Sequence, residues 1–355
     1  MADEEAPAEA DAPPAPRFSG WKRGLGIAAS LAIAVGLLVG VLPAIANIGE
    51  VWDAIQTLTW LESGSLLLLA AWNIATYQLV IMSALPGLTI GRAFVVGQIS
   101  TAVTNTLPAG SAVGVGITYA MFSSFGFDAG SIAIASVVTG LWNTFVKLGL
   151  PIVALAILSF QGQGNAALQS AAVTGLIILV VAIGVLALTL ARESFARATG
   201  VRIGRVATSV GRRFRRGPFE GWGDRLVAFR TQSLDLLRRR WYWVTLATIV
   251  SHLSLFAMLL TALRHMGVSA EVVTGAEALA AFAVVRLLTA LPITPGGLGV
   301  VEVGYTTALV VAGGDEELVV AAVLIYRALS YLLQVPLGAL AYAIWRSKGD
   351  WRKPA

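Results

Sequence analysis

The stretch AFAVVRLLTALPITPGGLGVVEVGYTTAL, residues 281–309, decides the fold of this chain. It is an apolar run interrupted by Pro292, Pro295 and two glycines, and the stretch AFVVGQISTAVTNTLPAGSAVGVGITYAM at 93–121 is interrupted in a similar way. Proline removes a backbone donor and clashes with the preceding helical turn, while glycine permits a tight reversal of the chain. Each stretch is therefore predicted to form two short helices joined at a break.

The composition around these stretches indicates a membrane protein. Hydrophobic residues make up 57% of the 355 residues and charged residues only 13%, whereas soluble domains carry about 25% charged residues. Apolar runs close to the roughly 20 residues that a span needs occur at about 25–42, 64–85, 132–160, 171–190, 241–263 and 318–345. The predicted fold is an all-α polytopic membrane protein with about six full transmembrane helices and two broken hairpins. Cysteine is absent from the sequence, which excludes disulfides, thiolate metal sites and cysteine nucleophiles.

Charge along the chain predicts the orientation of these elements. Lys and Arg concentrate in cytoplasmic loops, so the segment before the first run, the Arg92 turn, the segment 192–240 and the C-terminal tail are expected inside a bacterial inner membrane. Parity then requires 93–125 to begin and end inside and 276–311 to begin and end outside. Each arm has about 15 residues, roughly 22 Å of helix, which is short of the ~30 Å hydrocarbon core. Re-entrant helical hairpins are expected, although pairs of full spans would give the same parity.

The sequence thus divides into five predicted parts. They are a disordered acidic Ala/Pro tail (1–19), a first membrane half (20–191), an Arg-rich cytoplasmic connector (192–240), a second membrane half (241–346) and a basic tail (347–355). Phenylalanine, valine and tryptophan side chains interleave with the arginines of the connector. This pattern favours helices that lie on anionic lipid headgroups, and tethering to the membrane makes a nucleic-acid partner improbable.

The two broken stretches align as an internal repeat. The aligned pairs are Phe94 with Phe282, Pro108 with Pro295, Gly110 with Gly297 and Pro151 with Pro336. Because parity gives the two copies opposite orientations, the repeat is predicted to be inverted, a pattern that indicates a transporter-type site near the bilayer midplane. Chance alignment of apolar sequence is the alternative. Freed backbone groups at the breaks must be buried or line a wet cavity, and helix N-termini there suit an anion such as phosphate.

Three charged residues fall at a similar depth in the second half. Arg286, Glu302 and Arg327 are each about nine or ten residues from the outer surface, or roughly 14–17 Å of helix. A charge at that depth costs at least ~2.5–3.5 kcal/mol and usually faces a bundle interior or a cavity. One hypothesis is that Arg286 and Arg327 bind a lipid phosphate, which arginine forks match bidentately, while Glu302 orients one of them. The other is a structural ion network.

The candidate substrate-binding residues combine this triad with the two breaks. They are Arg286, Pro295, Gly296, Gly297, Glu302 and Arg327 in the second half, and Asn105, Pro108 and Gly110 in the first. No spacing of His, Asp and Glu suggests a metal, and no nucleotide-binding fingerprint appears, so neither a metal nor a cofactor is predicted. Lys147 and His252 are interpreted as lone side chains inside spans, the histidine as a structural one.

At the second break the sequence resembles a known family. The run from Arg286 through Leu291-Pro-Ile-Thr-Pro-Gly-Gly-Leu-Gly-Val-Val-Glu302, followed by Arg327 in the next span, is similar to the lysylphosphatidylglycerol synthase transmembrane-region family, also called flippase-like. The resemblance covers most of residues 20–346.

The first break resembles the same family less fully. Asn105-Thr-Leu-Pro-Ala-Gly110 is similar to the family's N-x-x-P-G element. The Gly-Glu and Arg that commonly follow are replaced by residues 113–119, and the usual Glu-Arg pair of the next span by Leu141-Trp142-Asn143. This looks like a divergent, actinobacterial-type member.

The resemblance implies translocation of a lipid between leaflets. The expected substrate is a phosphate-bearing phospholipid or a polyprenyl-linked lipid. The sequence shows no soluble aminoacyltransferase domain, so synthesis of lysylphosphatidylglycerol by this chain is not expected. Two alternatives stay open. One is a membrane-embedded lipid-modifying transferase with Glu302 as base, and the other is a non-catalytic partner subunit of a separate synthase or glycosyltransferase.

Overall fold

A computed structural model describes residues 52–53, 56–107, 110–162, 166–213, 221–289, 295–348 and 351, and no strand occurs within these ranges. The α-helices are α1 (Trp60–Ala84), α2 (Ile90–Thr106), α3 (Gly110–Ser124), α4 (Ala129–Phe160), α5 (Ala166–Ala191), α6 (Glu193–Arg213), α7 (Trp222–His265), α8 (Gly275–Leu288), α9 (Val300–Val311), α10 (Glu316–Arg327) and α11 (Gln334–Ser347). The predicted all-α polytopic membrane fold is confirmed.

Among the described residues, five helical stretches are long and apolar enough to cross a membrane. They are Trp60–Ala84, Ala129–Phe160, Val173–Ala191, Ser233–His265 and Glu316–Ser347. They correspond to five of the six predicted spans. The sixth, at 25–42, lies outside the described residues, as does the tail 1–19.

Side-chain caps fix where several of these helices begin. At the start of α1, the Thr59 hydroxyl accepts from the Glu62 backbone N–H, and the Glu62 carboxylate accepts from the Thr59 N–H at 2.8 Å. Thr274 and Glu277 form the same reciprocal pair at the start of α8, and Asp128 caps α4. Each cap satisfies backbone donors that the first helical turn leaves unpaired. These polar caps therefore fix the residue at which each of these apolar helices begins.

The last part of the connector and the span after it form one continuous helix. Helix α7 runs unbroken from Trp222 to His265, 44 residues or about 66 Å, and so continues across the predicted boundary at 240. No proline or glycine interrupts residues 224–265, so nothing in the backbone ends the helix where the polar segment meets the apolar one. The first part of α7 packs along α6, and Arg197 forms an ion pair with Asp224 across them.

Both broken stretches are pairs of short helices packed against each other. The first comprises α2 and α3, of 17 and 15 residues, and the second α8 and α9, of 14 and 12 residues. At 1.5 Å per residue these arms are about 18–26 Å long, each shorter than the ~30 Å apolar core of a bilayer. We call them the first hairpin (90–124) and the second hairpin (275–311), and the residues at their turns the tips. The predicted ranges 93–125 and 276–311 differ from these by at most three residues at any end.

The aligned prolines Pro151 and Pro336 have different local structures. Pro151 lies within the continuous helix α4, whereas Pro336 follows a π-helical turn, Ala328–Leu332. Proline has no N–H to offer the carbonyl four residues earlier, here that of Leu332. In the wide turn before it, the Leu333 N–H donates to the carbonyl five residues back, that of Ala328, at 2.9 Å. A wide turn of this kind rotates the side chains on either side and is frequent at functional sites.

Aromatic packing holds the second hairpin against the last span. The Phe282 and Tyr305 rings stack with centroids 6.3 Å apart, and the Tyr305 and Tyr326 rings meet edge to face at 5.5 Å. All three side chains are buried in one hydrophobic cluster formed mainly by α7, α8, α9 and α10. A second cluster joins α2, α3 and α4 to α11. The two hairpins are thus anchored in different clusters, and their tips meet at the site described next.

Candidate functional site

A cavity of about 820 Å³ lies at the two hairpin tips. The tips contribute Asn105, Leu107, Gly110 and Ser111 from the first hairpin and Thr289, Gly296 and Gly297 from the second. Further polar walls come from Asn73, Gln98, Ser100, Thr101, Thr104, Asn143, Ser251, Ser330 and Gln334, and aromatic walls from Tyr77, Tyr305, Tyr326 and Tyr331. A polar cavity among apolar spans is where broken backbone can exist at membrane depth.

The charged side chains of this cavity are cationic. Lys147, Arg286 and Arg327 line it together with His252, and no carboxylate is among the described lining residues. The nearest acid is Glu302, which lies behind Arg327 and has a side chain only 3% exposed. Three cations against one carboxylate leave a surplus of two positive charges around the cavity.

Glu302 is fully engaged by its neighbours. Its Oε1 accepts from Arg327 Nε at 2.5 Å, and its Oε2 accepts from the Gly299 backbone N–H at 2.7 Å. The second contact satisfies a free donor at the first turn of α9, where a negative charge also meets the positive end of the helix dipole. Glu302 therefore ties the start of α9 to the guanidinium of Arg327.

Arg327 in turn holds the second tip in place. Its Nη2 donates to the Gly296 carbonyl at 3.2 Å, and its guanidinium carbon lies 4.4 Å from the centroid of the Tyr331 ring. A guanidinium at that distance from an aromatic face is attracted by the ring quadrupole. Arg327 consequently joins three separate parts: α9 through Glu302, the turn through Gly296, and the π-helix through Tyr331.

Tyr331 joins the two tips. Its hydroxyl donates to the backbone carbonyl of Asn105 at 2.6 Å, and its ring lies so close to Gly296 that a Cβ there would be 2.2 Å from the ring carbon Cε2. Gly296 also has φ +58°, a backbone conformation that favours glycine. At the first tip, a Cβ on Gly110 would lie 2.6 Å from the carbonyl oxygens of α2. Both reversals therefore require glycine where the chain turns.

Replacing Tyr331 by Phe is expected to lower the free energy of unfolding by about 1 kcal/mol, the usual net value of one hydrogen bond. The ring would still lie under Arg327, so only the bond to Asn105 is lost. Chemical unfolding of the purified protein in detergent measures the change, and Tyr342→Phe serves as the control because Tyr342 is 47% exposed. Equal stabilities of the two variants would contradict the role of the Tyr331 hydroxyl.

Arg286 and Lys147 lie in the same cavity without a carboxylate partner. Arg286 Nη2 lies 3.4 Å from His252 Nε2, and Arg286 Nε is buried with no hydrogen-bond partner in the described part of the chain. His252 Nδ1 is 3.0 Å from the Thr248 carbonyl, which can only accept, so Nδ1 carries the proton and a neutral Nε2 faces the guanidinium. Lys147 lies within electrostatic range of Arg286. These two cations repel each other, and no described side chain neutralises either one.

The structure brings most of the predicted site residues together. Those that line the cavity are Asn105, Gly110, Arg286, Gly296, Gly297 and Arg327. Glu302 is not among the lining residues; it lies behind Arg327, and its oxygens accept from Arg327 Nε and the Gly299 N–H. Pro295 begins the short 3₁₀ turn of the second tip, and Pro108 lies outside the described residues.

Lys147, His252 and Tyr331 also line the cavity and were not among the residues predicted for the site. A lysine deep inside an apolar run is itself a signal for a functional site, so Lys147 could have been selected on that ground. His252 is part of the site through its contact with Arg286, which is 34 positions away in the sequence. Tyr331 carries no sequence signal, since its position depends on the π-helical turn.

Comparison with known proteins gives one match to a family. A family model described as "Lysylphosphatidylglycerol synthase TM region" matches residues 27–338. All of the described residues that line the cavity fall within the matched range. No curated protein matches the chain.

Proposed function

The chain belongs to the lysylphosphatidylglycerol synthase TM region family, and from this premise we propose that it binds the phosphate-bearing headgroup of a membrane lipid in the tip cavity and moves it between leaflets. One observation carries the proposal: Lys147 and Arg286 line the cavity with no carboxylate partner in the described chain. Unpaired charges at membrane depth are costly and usually serve a substrate pathway. A phosphate would supply the missing negative charge.

The dimensions and chemistry of the cavity support this proposal. About 820 Å³ falls within the ~300–1,000 Å³ typical of small-molecule sites, enough for a headgroup whose chains stay among the helices. Arg286 has an unpaired Nε, and an arginine fork matches phosphate oxygens. Among lipids, phospholipids and polyprenyl phosphates both present such a group. The headgroup would thus be held by cations that the protein itself leaves unneutralised.

The contacts at the tips support a mechanism of movement. Arg327, Glu302 and Gly296 bind the second tip into one unit. The Tyr331 hydroxyl, in the π-helical turn beside this unit, donates a hydrogen bond to the Asn105 carbonyl of the first tip. Re-entrant hairpins inserted from opposite sides would separate at this contact. This bond contributes only about 1 kcal/mol, so it would not prevent opening, and the cavity would open alternately toward each leaflet.

The connector would lie on the inner membrane surface. Its helix α6 exposes Val201, Ile203 and Val206 and carries arginines at 202, 205, 212 and 213. Apolar side chains next to arginine are what an interfacial helix needs to bind anionic headgroups. In this arrangement both termini are cytoplasmic, and the connector anchors the protein without selecting its substrate.

The transferase alternative lacks support at the residue it needs. A general base must reach the proton it abstracts, yet Glu302 is buried and both of its oxygens accept bonds from Arg327 and Gly299. The remaining alternative, a partner subunit without activity of its own, predicts that the purified protein moves no lipid.

Exchange of lipid between leaflets in reconstituted vesicles tests the proposal. Vesicles containing the protein and a headgroup-labelled anionic phospholipid are exposed to a membrane-impermeant quencher. The quencher should first reach the labelled lipid of the outer leaflet. The quenched fraction should then rise above that share faster than in protein-free vesicles, as lipid from the inner leaflet becomes accessible. Arg286→Gln is expected to slow exchange roughly 10- to 100-fold, because a hydrogen bond to a charged group contributes about 1.5–3 kcal/mol.

The matched control removes an arginine that does not line the cavity. Arg239→Gln should exchange lipid like the wild type, because the Arg239 side chain is 78% exposed and pairs with the exposed Asp235. A wild-type rate equal to that of protein-free vesicles would overturn the proposed function. An Arg286→Gln rate equal to the wild-type rate would overturn the assignment of the cavity as the route.

A further inference from the structure

The two cationic parts of the cavity are electrostatically different. Arg327 is neutralised by Glu302, donates to the Gly296 carbonyl and lies on the Tyr331 ring. Arg286 and Lys147 have no such partner in the described chain. The imidazole nearest to Arg286 accepts a hydrogen bond and brings no negative charge. The cavity therefore has a satisfied side at Arg327 and an unneutralised side at Arg286 and Lys147.

This asymmetry disfavours an amine in the headgroup. An ammonium group entering the cavity would meet Lys147 and Arg286 as like charges, which repel at close range. It would also need an acceptor with negative charge, and no carboxylate is among the described lining residues. Glu302 is not among those lining residues, has a side chain only 3% exposed, and is already neutralised by Arg327. A phosphate anion meets neither obstacle.

The remaining wall suits uncharged hydroxyl groups. Gln98 is 2% exposed and lines the cavity, and its Oε1 has no hydrogen-bond partner in the described chain. Ser330 Oγ is buried and unpartnered in the same way. Buried polar atoms without partners are rare and costly, and hydroxyl groups can donate to an amide oxygen and exchange hydrogen bonds with a serine. Tyrosine rings complete the lining and offer apolar faces to the carbon atoms of a polyol.

From these contacts we infer that the cavity selects a lipid phosphate joined to an uncharged, hydroxylated group such as glycerol or a sugar, and rejects headgroups that carry an amine. The phosphate binds at Arg286 and Lys147, and the hydroxyl groups bind along Gln98 and Ser330. This inference rests on the proposed function, because it assumes that the cavity receives a lipid headgroup. It sets this chain apart from what the name of its family suggests, since lysylphosphatidylglycerol carries amines.

Binding of short-chain lipids to the purified full-length protein in detergent tests the selection. Dihexanoyl phosphatidylglycerol presents a phosphate with a glycerol headgroup, and its lysine ester adds amines to that headgroup. Dihexanoyl phosphatidylethanolamine carries ethanolamine in place of the headgroup glycerol. Calorimetry should show phosphatidylglycerol binding at least roughly tenfold more tightly than the other two. Equal or tighter binding of the amine lipids would overturn the inference, and this comparison needs no variant that has to fold.

Two variants locate the selection within the cavity. Lys147→Gln combined with Arg286→Gln should reduce the preference toward unity, because the amine then meets no like charge. Arg239→Gln, which removes an exposed arginine, should keep the wild-type preference. A double variant that retains the full preference would show that these two cations do not select the headgroup, and would overturn the assignment.

The same three lipids in the vesicle assay separate this inference from the proposed function. Translocation of all three at equal rates would overturn the selection and leave translocation standing. Selective binding without movement would support the selection and overturn translocation. Absence of binding by any of the lipids would overturn both.

Discussion

Replacing Arg327 by Gln is expected to destabilise the protein by about 3–5 kcal/mol, because Glu302 would then be a buried charge without its partner. The side chains of the pair are 11% and 3% exposed, so Glu302 would have little contact with water to compensate for the lost guanidinium. The same change removes the donor to the Gly296 carbonyl and the cation over the Tyr331 ring. We expect the second tip to loosen and lipid exchange to fall with it.

A double-mutant cycle isolates the ion pair from these other effects. Glu302→Gln added to Arg327→Gln removes the orphaned carboxylate, so the double variant should recover much of the stability lost in the single one. Unfolding free energies of the four proteins in detergent give the coupling. Breaking the exposed pair of Arg239 and Asp235 in the same way should change stability by less than about 1 kcal/mol. Equal stabilities for the single and double variants would contradict a buried, coupled pair.

Gly296→Ala is expected to cost about 2 kcal/mol or more of stability and to impair translocation. Its φ of +58° is one that alanine adopts only with strain, of order 1–3 kcal/mol. The added Cβ would also lie 2.2 Å from the Tyr331 ring and 3.2 Å from Asn105 Oδ1. Tyr331 must therefore move, and its hydrogen bond to the first tip is expected to break.

Gly116→Ala is the matched control for this substitution. Gly116 lies within α3, and a Cβ there would meet nothing within 4 Å. Alanine should leave stability unchanged or raise it by up to about 1 kcal/mol, since glycine is a poor helix former. Unfolding and vesicle exchange measured on both variants compare a crowded tip with an open helix face. A Gly296→Ala protein as stable and active as Gly116→Ala would show that the tip tolerates displacement.

The elements of this fold follow from features that a single sequence displays. Apolar runs predict the spans because about 20 apolar residues in a helix match the thickness of the hydrocarbon core. The prolines and glycines near 108 and 295 predict the breaks. Counting residues from the predicted outer surface places Arg286, Glu302 and Arg327 at a similar expected depth. The pairing of Glu302 with Arg327 agrees with the expectation that the glutamate orients one arginine.

Counting along the chain predicts how deep a residue lies in the membrane. It does not predict which side of its helix the residue faces or which neighbour it meets. Whether Glu302 meets Arg286 or Arg327 depends on how α8, α9 and α10 are rotated against one another, which packing of Phe282 and Tyr305 sets. Lys147 lies on α4, and whether its side chain lines the cavity depends in the same way on the rotation of that helix in the bundle. The π-helix that presents Tyr331 arises near Pro336, whereas Pro151 produces none in α4. The helix α7 continues across the predicted boundary at 240, because helix continuity depends on backbone breakers, and a change of polarity is not one.

A cryo-electron microscopy reconstruction of the protein in nanodiscs that contain phosphatidylglycerol tests the central claim most directly. The account predicts headgroup density inside the tip cavity, with a phosphate at hydrogen-bonding distance, about 3 Å, from Arg286 or Lys147. A cavity that holds only water, with every lipid phosphate at the two membrane surfaces, would contradict it.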